Sequence, residues 1–315
     1  MTSAIGIDLG GTNIKGGLVD QHGTIRERHE IPTRAERGSN AVIDDLAALV
    51  NHLRRSGPVD GIGLATPGPL DLRNGRIIRA ANLPGWIDVP IRDALAAKTG
   101  LPVTLENDAN AAAFGEFTAG AGRGCQHMTL FTLGTGVGAG VIIDGRVLHG
   151  HFDNAGELGH MIVAVGGEPC PCGQRGCLER YSSADAVARR ACIPSLERKR
   201  QGPPLSAEEV ASRAQQGDPI CAKVWNDACL YLAVACVNVQ HAYNSQRIIL
   251  GGGMSQAGDF LLSSVRHHLA DQAWRLHNDL PEICLAELGA DAGLVGAAAL
   301  LHAHRNKTEK PACSK

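Results

Sequence analysis

Aromatic residues are scarce in this chain, with five Phe, three Trp and three Tyr among 315 positions. That is too few to stack the bases of a nucleic acid. A basic excess is also lacking: 30 Lys and Arg face 32 Asp and Glu, for a formal charge of −2, so no surplus exists to neutralise a phosphate backbone. No run approaches the ~18 apolar residues that span a bilayer. A strand-like segment, Ala4 to Leu9, starts almost at Met1 and leaves no basic and apolar stretch to read as a signal peptide. The expectation is a cytoplasmic protein without nucleic-acid or membrane partners. What is present, 44% hydrophobic and 20% charged residues, is ordinary globular composition, and the length allows two domains.

Seven cysteines (Cys125, Cys192, Cys221, Cys229, Cys236, Cys284 and Cys313) are scattered, mostly in Ala-, Leu- and Val-rich surroundings, as expected of reduced thiols acting as small core hydrophobes. The other three, Cys170, Cys172 and Cys177, crowd into one Gly- and Pro-rich loop, and His160 offers an imidazole ten positions upstream. Three thiolates and one imidazole make a closed tetrahedral set for zinc, with no open position to activate water, so such an ion would be structural. Three reduced thiols are the plain alternative.

The pattern alternates between strand and helix, which predicts an α/β fold. Strand-like Ala4 to Leu9, the turn Gly10-Gly11-Thr12-Asn13 and strand-like Ile14 to Val19 form hairpin grammar. Ser39 and Asn40 are cap candidates for a helix reaching Leu53. Strands follow at Gly61 to Ala65 and Pro102 to Leu105, with a helix around Ile91 to Lys98 between them. A second hairpin, Met128 to Leu133, Gly134-Thr135-Gly136-Val137-Gly138 and Ala139 to Ile143, echoes the first at an offset of 124 residues (133 − 9, aligning Leu133 with Leu9), which suggests a duplicated domain. A Pro- and charge-rich loop, Pro194 to Pro204, precedes a capping box of Ser206 and Glu209. Apolar Cys221 to His241 is helical, Arg247 to Leu250 is a strand, and a last helix runs from Gly293 to His304 before a frayed tail.

Three glycine turns, Gly10-Gly11-Thr12, Gly134-Thr135-Gly136 and Gly251-Gly252-Gly253, each follow a strand. Their amides and hydroxyls suit phosphate oxygens, although each turn alone is equally a tight hairpin. A dinucleotide fingerprint is excluded by context, because the first two turns lead into a second strand rather than a helix, and the sequence contains no GxxxxGK[ST] loop. Asp108 follows a strand and opens an Ala-rich helix, where the dipole favours an ionised carboxylate; an ordinary helix cap is the alternative.

Two hairpins that clamp phosphates resemble the actin-like ATPase (ribonuclease H-like) fold. Ile7 to Lys15 (IDLGGTNIK), Glu106 to Ala113 (ENDANAAA), Gly134 to Gly138 (GTGVG), Gly156 to His160 (GELGH) and Cys170 to Glu179 (CPCGQRGCLE) are similar, in order, to the motifs of ROK (repressor, ORF, kinase) sugar kinases. Together with Gly289 to Gly296 they cover essentially the whole chain, and the combination is most similar to the bacterial glucokinases of that family. The resemblance implies two α/β lobes with the active site in the cleft between them, one lobe being residues 1–118 plus about 301–315 and the other residues 119–300 with the zinc loop. It implies ATP-dependent phosphorylation of the 6-hydroxyl of a hexose, first glucose, with N-acetylmannosamine or N-acetylglucosamine as alternatives.

By the same resemblance Asp108 is the catalytic base, and Asn107, Asp108, Glu157, His160, Glu179, Asn82 and Gly68 contact the sugar. Asp8 holds Mg²⁺ through water. Gly10, Gly11, Thr12, Lys15, Gly134, Thr135, Gly136, Gly252 and Gly253 serve ATP, and His160, Cys170, Cys172 and Cys177 hold zinc. The stretch His151 to Ala155 is bulkier than the small residues associated with that position, and His149, His151, His267 and His268 are expected to be surface or packing residues. A homodimer is implied too. Family repressors place a winged helix-turn-helix domain before the first hairpin. Here that hairpin begins at residue 4 or 5, so a sugar-responsive regulator is not the expected reading.

Overall fold

The computed structural model describes residues 3–80, 82–197, 204–274 and 280–309. Its contacts divide the chain into two compact units, residues 1–124, 146–156 and 290–315 in one, and 125–145 and 157–289 in the other.

The first unit is built on a sheet whose strands are β1 (Ser3–Leu9), β2 (Asn13–Asp20), β3 (Ile25–Pro32), β4 (Val59–Thr66) and, after a small three-stranded sheet, β8 (Val103–Asn107). The small sheet comprises β5 (Leu70–Asp71), β6 (Arg76–Arg79) and β7 (Ile87–Val89). The main order is β3-β2-β1-β4-β8, with β1 antiparallel to β2 and parallel to β4, and β4 parallel to β8. Strands β1 and β4 read as near-continuous apolar runs because helices cover the sheet. Helix α1 (Ser39–Leu53) packs Leu46, Leu49, Val50 and Leu53 into the core with Ile5, Ile7, Ile62 and Leu64. Its cap is Gly38, with no side-chain bond, rather than Ser39 or Asn40. Helix α2 (Ile91–Thr99) leads to β8, and α3 (Asp108–Ala119) follows it directly.

The last helix, α9 (Ala292–Glu309), lies against α3, β1 and β4. It belongs to the first unit, which resumes at Ala290, eleven residues before the return near residue 301 expected from sequence. The physical reason is its small-residue face: a Cβ on Gly296 would stand 1.6 Å from the Ala111 carbonyl oxygen, so the two helices touch backbone to backbone. Only glycine permits that approach.

In the second unit, β9 (Met128–Leu133), β10 (Val137–Ile143), β12 (Arg247–Gly251) and β13 (Glu282–Leu285) form a sheet in the order β10-β9-β12-β13, while the short β11 (Arg146–Val147) falls within residues 146–156 of the first unit. Strand β9 is antiparallel to β10 and parallel to β12, which is parallel to β13. This repeats the order and senses of the first sheet, the topological counterpart of the echoed hairpins.

Helices α4 (Glu179–Ser182), α5 (Ala184–Glu197), α6 (Ala207–Gln215), α7 (Pro219–Tyr243) and α8 (Asp259–Gln272) complete the second unit. The Ser206–Glu209 capping box forms. Helix α5 continues through Pro194 to Glu197, beyond the expected loop start, and residues 198–203 lie outside the described part. By length and composition α7 could cross a membrane. Its buried residues (Val224, Ala228, Leu232, Ala235, Val239) instead recur at helical spacing, and it packs with α5, α6 and α8 as a core helix. Cys221, Cys229 and Cys236 are buried there, and burial pushes the Cys229 and Cys236 thiols up to about 12. Cys125 is likewise buried, Cys192 and Cys284 are half-buried, and Cys313 lies outside the described residues.

Candidate active site

In the first unit, the carboxyl ends of the parallel strands β1 and β8 carry the candidate groups, which is where open α/β sheets place their ligands. Asp8 pairs in register with Lys15 across the hairpin, and the Lys15 ammonium donates to the Ala290 carbonyl at 2.9 Å. Burial holds the Asp8 carboxyl above its ordinary range. Lys15 opposes that rise, and the nearby Asp291 adds to it. Two neighbouring carboxylates, one of them desolvated, fit a hard divalent ion that takes oxygen ligands. The Gly10 amide donates to the Asn13 carbonyl at 3.0 Å, and the Thr12 carbonyl accepts from Thr33 at 2.8 Å. A Cβ on Gly11 would lie 2.8 Å from the Asn82 carbonyl oxygen, so Asn82 sits against this turn.

At the β8–α3 junction the two acidic-amide neighbours separate in role. Asn107 is extended, and its Oδ1 accepts from the amides of Ala109 (3.0 Å) and Asn110 (3.2 Å), so it is the helix cap. Its Nδ2 reaches the Gly68 carbonyl at 3.5 Å, a long contact. Asp108 occupies the first helical position, with Oδ1 accepting from the Ala109 amide at 2.8 Å. The cap alternative therefore belongs to Asn107, whose Oδ1 is taken up by the helix amides.

Buried Glu106 braces this junction. Its Oε1 accepts from the Asn107 amide (3.0 Å) and from Asn110 Nδ2 (3.1 Å), and its Oε2 lies 2.7 Å from His149 Nε2. His149 is thus more than a surface or packing residue. No local signal marks it, because Glu106 and His149 are 43 positions apart. In the same loop Asn154 clamps Leu70, accepting from its amide at 2.9 Å and donating to its carbonyl at 3.1 Å, while Phe152 is 80% exposed.

In the second unit the Gly134 amide donates to the Gly136 carbonyl (3.0 Å), and the Ala184 amide at the start of α5 donates to the Gly134 carbonyl (2.8 Å). Glu179 Oε2 accepts from the Val137 amide at 3.0 Å, and a Cβ on Gly136 would fall 2.4 Å from that oxygen. A residue expected at the sugar therefore also fastens the Gly134–Gly136 turn. Thr135 and Glu157 are exposed.

His160 Nδ1 and the sulfurs of Cys170, Cys172 and Cys177 all lie within 4.8 Å of one another. Cys170 is 3.7 Å from His160 Nδ1, and Cys172 is 3.6 Å from Cys177. Ligands on a tetrahedral zinc with ~2.3 Å sulfur and ~2.0 Å nitrogen bonds are separated by about 3.5–3.8 Å. The set therefore fits zinc, and the use of Nδ1 leaves Nε2 of His160 for another partner. The loop is closed by bridges between Ile162 and Cys177 and between Pro169 and Arg175.

Gly252 has φ of +81°, and a Cβ there would meet Leu133 backbone atoms at 2.6 Å, which draws together the ends of β12 and β9. Beside Gly253 lies a cavity of ≈ 580 Å³ lined by Ala184, Ser206, Ala211, Trp225 and Met254, among others. Its volume is within the ~300–1,000 Å³ range of small-molecule sites. Sequence reasoning saw only a capped helix at Ser206; the cavity joins elements 70 residues apart and left no local trace.

The ROK family model matches residues 4–304. A glucokinase of Halalkalibacterium halodurans is 38% identical over 97% of both chains. Among solved structures, a ROK hexokinase from Thermus thermophilus is 35% identical with a TM-score of 0.84, covering 97% of this chain and all of that one. A ROK family glucokinase from Streptomyces griseus, in complex with glucose and AMPPNP, is 32% identical with a TM-score of 0.79, covering 95% and 98%. The fold is the two-lobed actin-like ATPase fold that these sugar kinases share. Matched over nearly its whole length by motif order, topology and identity, the chain belongs to the ROK family.

Proposed function

We propose that the chain is an ATP-dependent hexose kinase that phosphorylates the 6-hydroxyl of glucose. The observation that carries the reading is the β8–α3 junction. Asn107 takes the capping bonds, so the helix does not require Asp108 as its cap, and a carboxylate stands at the positive end of α3 and the carboxyl end of a parallel strand. In the reaction the sugar oxygen bonds to the γ-phosphorus, the bond from that phosphorus to the ADP oxygen breaks, and Asp108 accepts the hydroxyl proton. Phosphoryl transfer has a loose transition state, so most of the work is orientation.

Asn107 Nδ2, Asn82, Gly68, Glu157, Glu179 and His160 Nε2 would bind sugar hydroxyls. The carboxylates accept short bonds there and leave an epimer with an unpaired group. Gly10, Gly11, Thr12, Lys15, Gly134, Thr135 and Gly136 would cradle phosphates, and Gly252 and Gly253 would border the nucleoside in the ≈ 580 Å³ cavity. Asp8 would hold Mg²⁺ through water, the ion supplying charge neutralisation on the phosphates. His160, Cys170, Cys172 and Cys177 would hold a structural zinc. A cytoplasmic homodimer completes the reading.

The test is kcat/KM for glucose, mannose, fructose, N-acetylglucosamine and N-acetylmannosamine with ATP, polyphosphate serving as the alternative donor. Glucose with ATP is expected to lead, and Asp108→Asn to lose ~10²–10⁴-fold in kcat. An acetylated sugar preferred tenfold or more would overturn the glucose assignment. A variant at position 108 that keeps most of its kcat would remove the base.

A further inference from the structure

The edge of the first sheet carries a second cluster with metal-ligand chemistry. Along β3, half-buried and exposed residues alternate, so Glu27 and His29 face the same way. His52 arrives from the last turn of α1. His29 Nε2 lies 2.9 Å from Glu27 Oε1 and 2.9 Å from His52 Nε2, and His52 Nε2 lies 3.5 Å from Glu27 Oε1. The two imidazoles meet edge to face at 80°.

Protons alone do not satisfy this geometry. Arg55 stands 2.7 Å from His52 Nδ1, and a guanidinium only donates. Neutral His52 then carries its proton on Nε2 and can give it to His29 Nε2. The remaining 2.9 Å contact sets a histidine lone pair against a carboxylate lone pair. Moving a proton to His29 Nε2 repairs that contact but sets two N–H groups against each other. A cation at the convergence point replaces both contacts, with the His52 proton moved to Nδ1 and the exposed Arg55 guanidinium turned away from it. An ion at ~2.0–2.1 Å from all three atoms would sit ~1 Å out of their plane, so the triangle is small enough for one ion to cap.

We infer that Glu27, His29 and His52 form a surface site for a late first-row divalent metal ion such as Zn²⁺, Co²⁺, Ni²⁺ or Cu²⁺. Two imidazoles and a carboxylate suit that class, and three protein ligands leave positions for water. An open pocket of ≈ 420 Å³ bordered by His29, His52, Arg34 and Asp45 gives access. The site is separate from the thiolate loop. Across the sheet it is also four strand spacings, about 19 Å, from β8. Bound there, the ion ties β3 to α1.

The full-length protein, first brought to one zinc per chain, is titrated with Zn²⁺ by calorimetry and with Co²⁺ by visible absorption. The wild type is expected to take a second equivalent and to gain in Tm as it does so. His29→Ala/His52→Ala should bind the second ion at least tenfold more weakly while keeping the first, with Glu27→Gln as an independent variant showing the same loss. Cys172→Ser should lose the first ion and keep the second. Arg55→Ala should bind the second more tightly, because His52 Nδ1 can then carry the proton. Saturation at one equivalent in the wild type, or an unchanged second equivalent in the double variant, would overturn the site.

Discussion

At the scale of single residues, the most exposed test of the electrostatics is Asp20, in the turn between β2 and β3. Its side chain is 4% exposed. It accepts from the His22 amide (2.9 Å), the Thr24 amide (3.0 Å) and Arg26 (2.8 and 3.1 Å). Burial alone would raise its pKa, but the Thr24 and His22 amides and Arg26 together hold it below the ordinary aspartate value of 3.8. A carboxyl lowered by folding adds stability that is complete above the unfolded value and disappears as pH falls through the folded one. Asp20→Asn should therefore cost about 1–3 kcal/mol at pH 7, with the gap to wild type closing below about pH 4; urea melts at pH 7 and pH 3 measure it. A gap of equal size at both values would mean that the carboxylate charge is not what stabilises the turn. Such roles are only partly legible in the sequence. The residue type and place of Asp108 stood out at a strand–helix junction, whereas the Glu106–His149 pair did not, because it is made by tertiary contact between residues distant along the chain.

At the scale of elements, apolar runs announced the strands that helices bury, and β1, β4, β9 and β12 were readable for that reason. Strand β3 was not, because it is an edge strand whose polar side chains, including Glu27 and His29, alternate with exposed charge and carry no apolar signal. Helix α9 was readable as a helix, but which of its faces mattered was not: small residues report where a backbone approaches only once the partner is known. Beyond Gly296, a Cβ on Gly6 would meet the Leu294 carbonyl oxygen at 2.1 Å and one on Gly63 would meet the Ala297 carbonyl oxygen at 1.8 Å. Helix α9 thus rests on both strands through glycine. Gly296→Val should destabilise by about 3 kcal/mol or more, since backbone on both sides must part, and circular-dichroism melts should show it. A melting temperature within a degree or two of wild type would contradict this packing.

At the scale of the whole molecule, two sheets of the same strand order each present a glycine hairpin, and the second unit adds the cysteine loop Cys170–Cys177. In the second unit Cys177 and Glu179 are separated only by Leu178, and Glu179 holds the Val137 amide at the end of the Gly134–Gly136 turn. The proposed zinc would therefore be coupled through Cys177 and Leu178 to Glu179, the carboxylate proposed for the sugar, and through its hydrogen bond to the turn proposed for the phosphates. Chelating the metal should raise KM for both glucose and ATP rather than for glucose alone, and lower Tm, with recovery on adding one equivalent of Zn²⁺. Glu179→Gln should weaken both substrates while retaining the metal, because the carboxylate and not the ion makes the final contact. If chelation removes zinc and leaves both KM values within twofold of the starting protein, the loop stabilises only itself and the proposed coupling to the turn is absent.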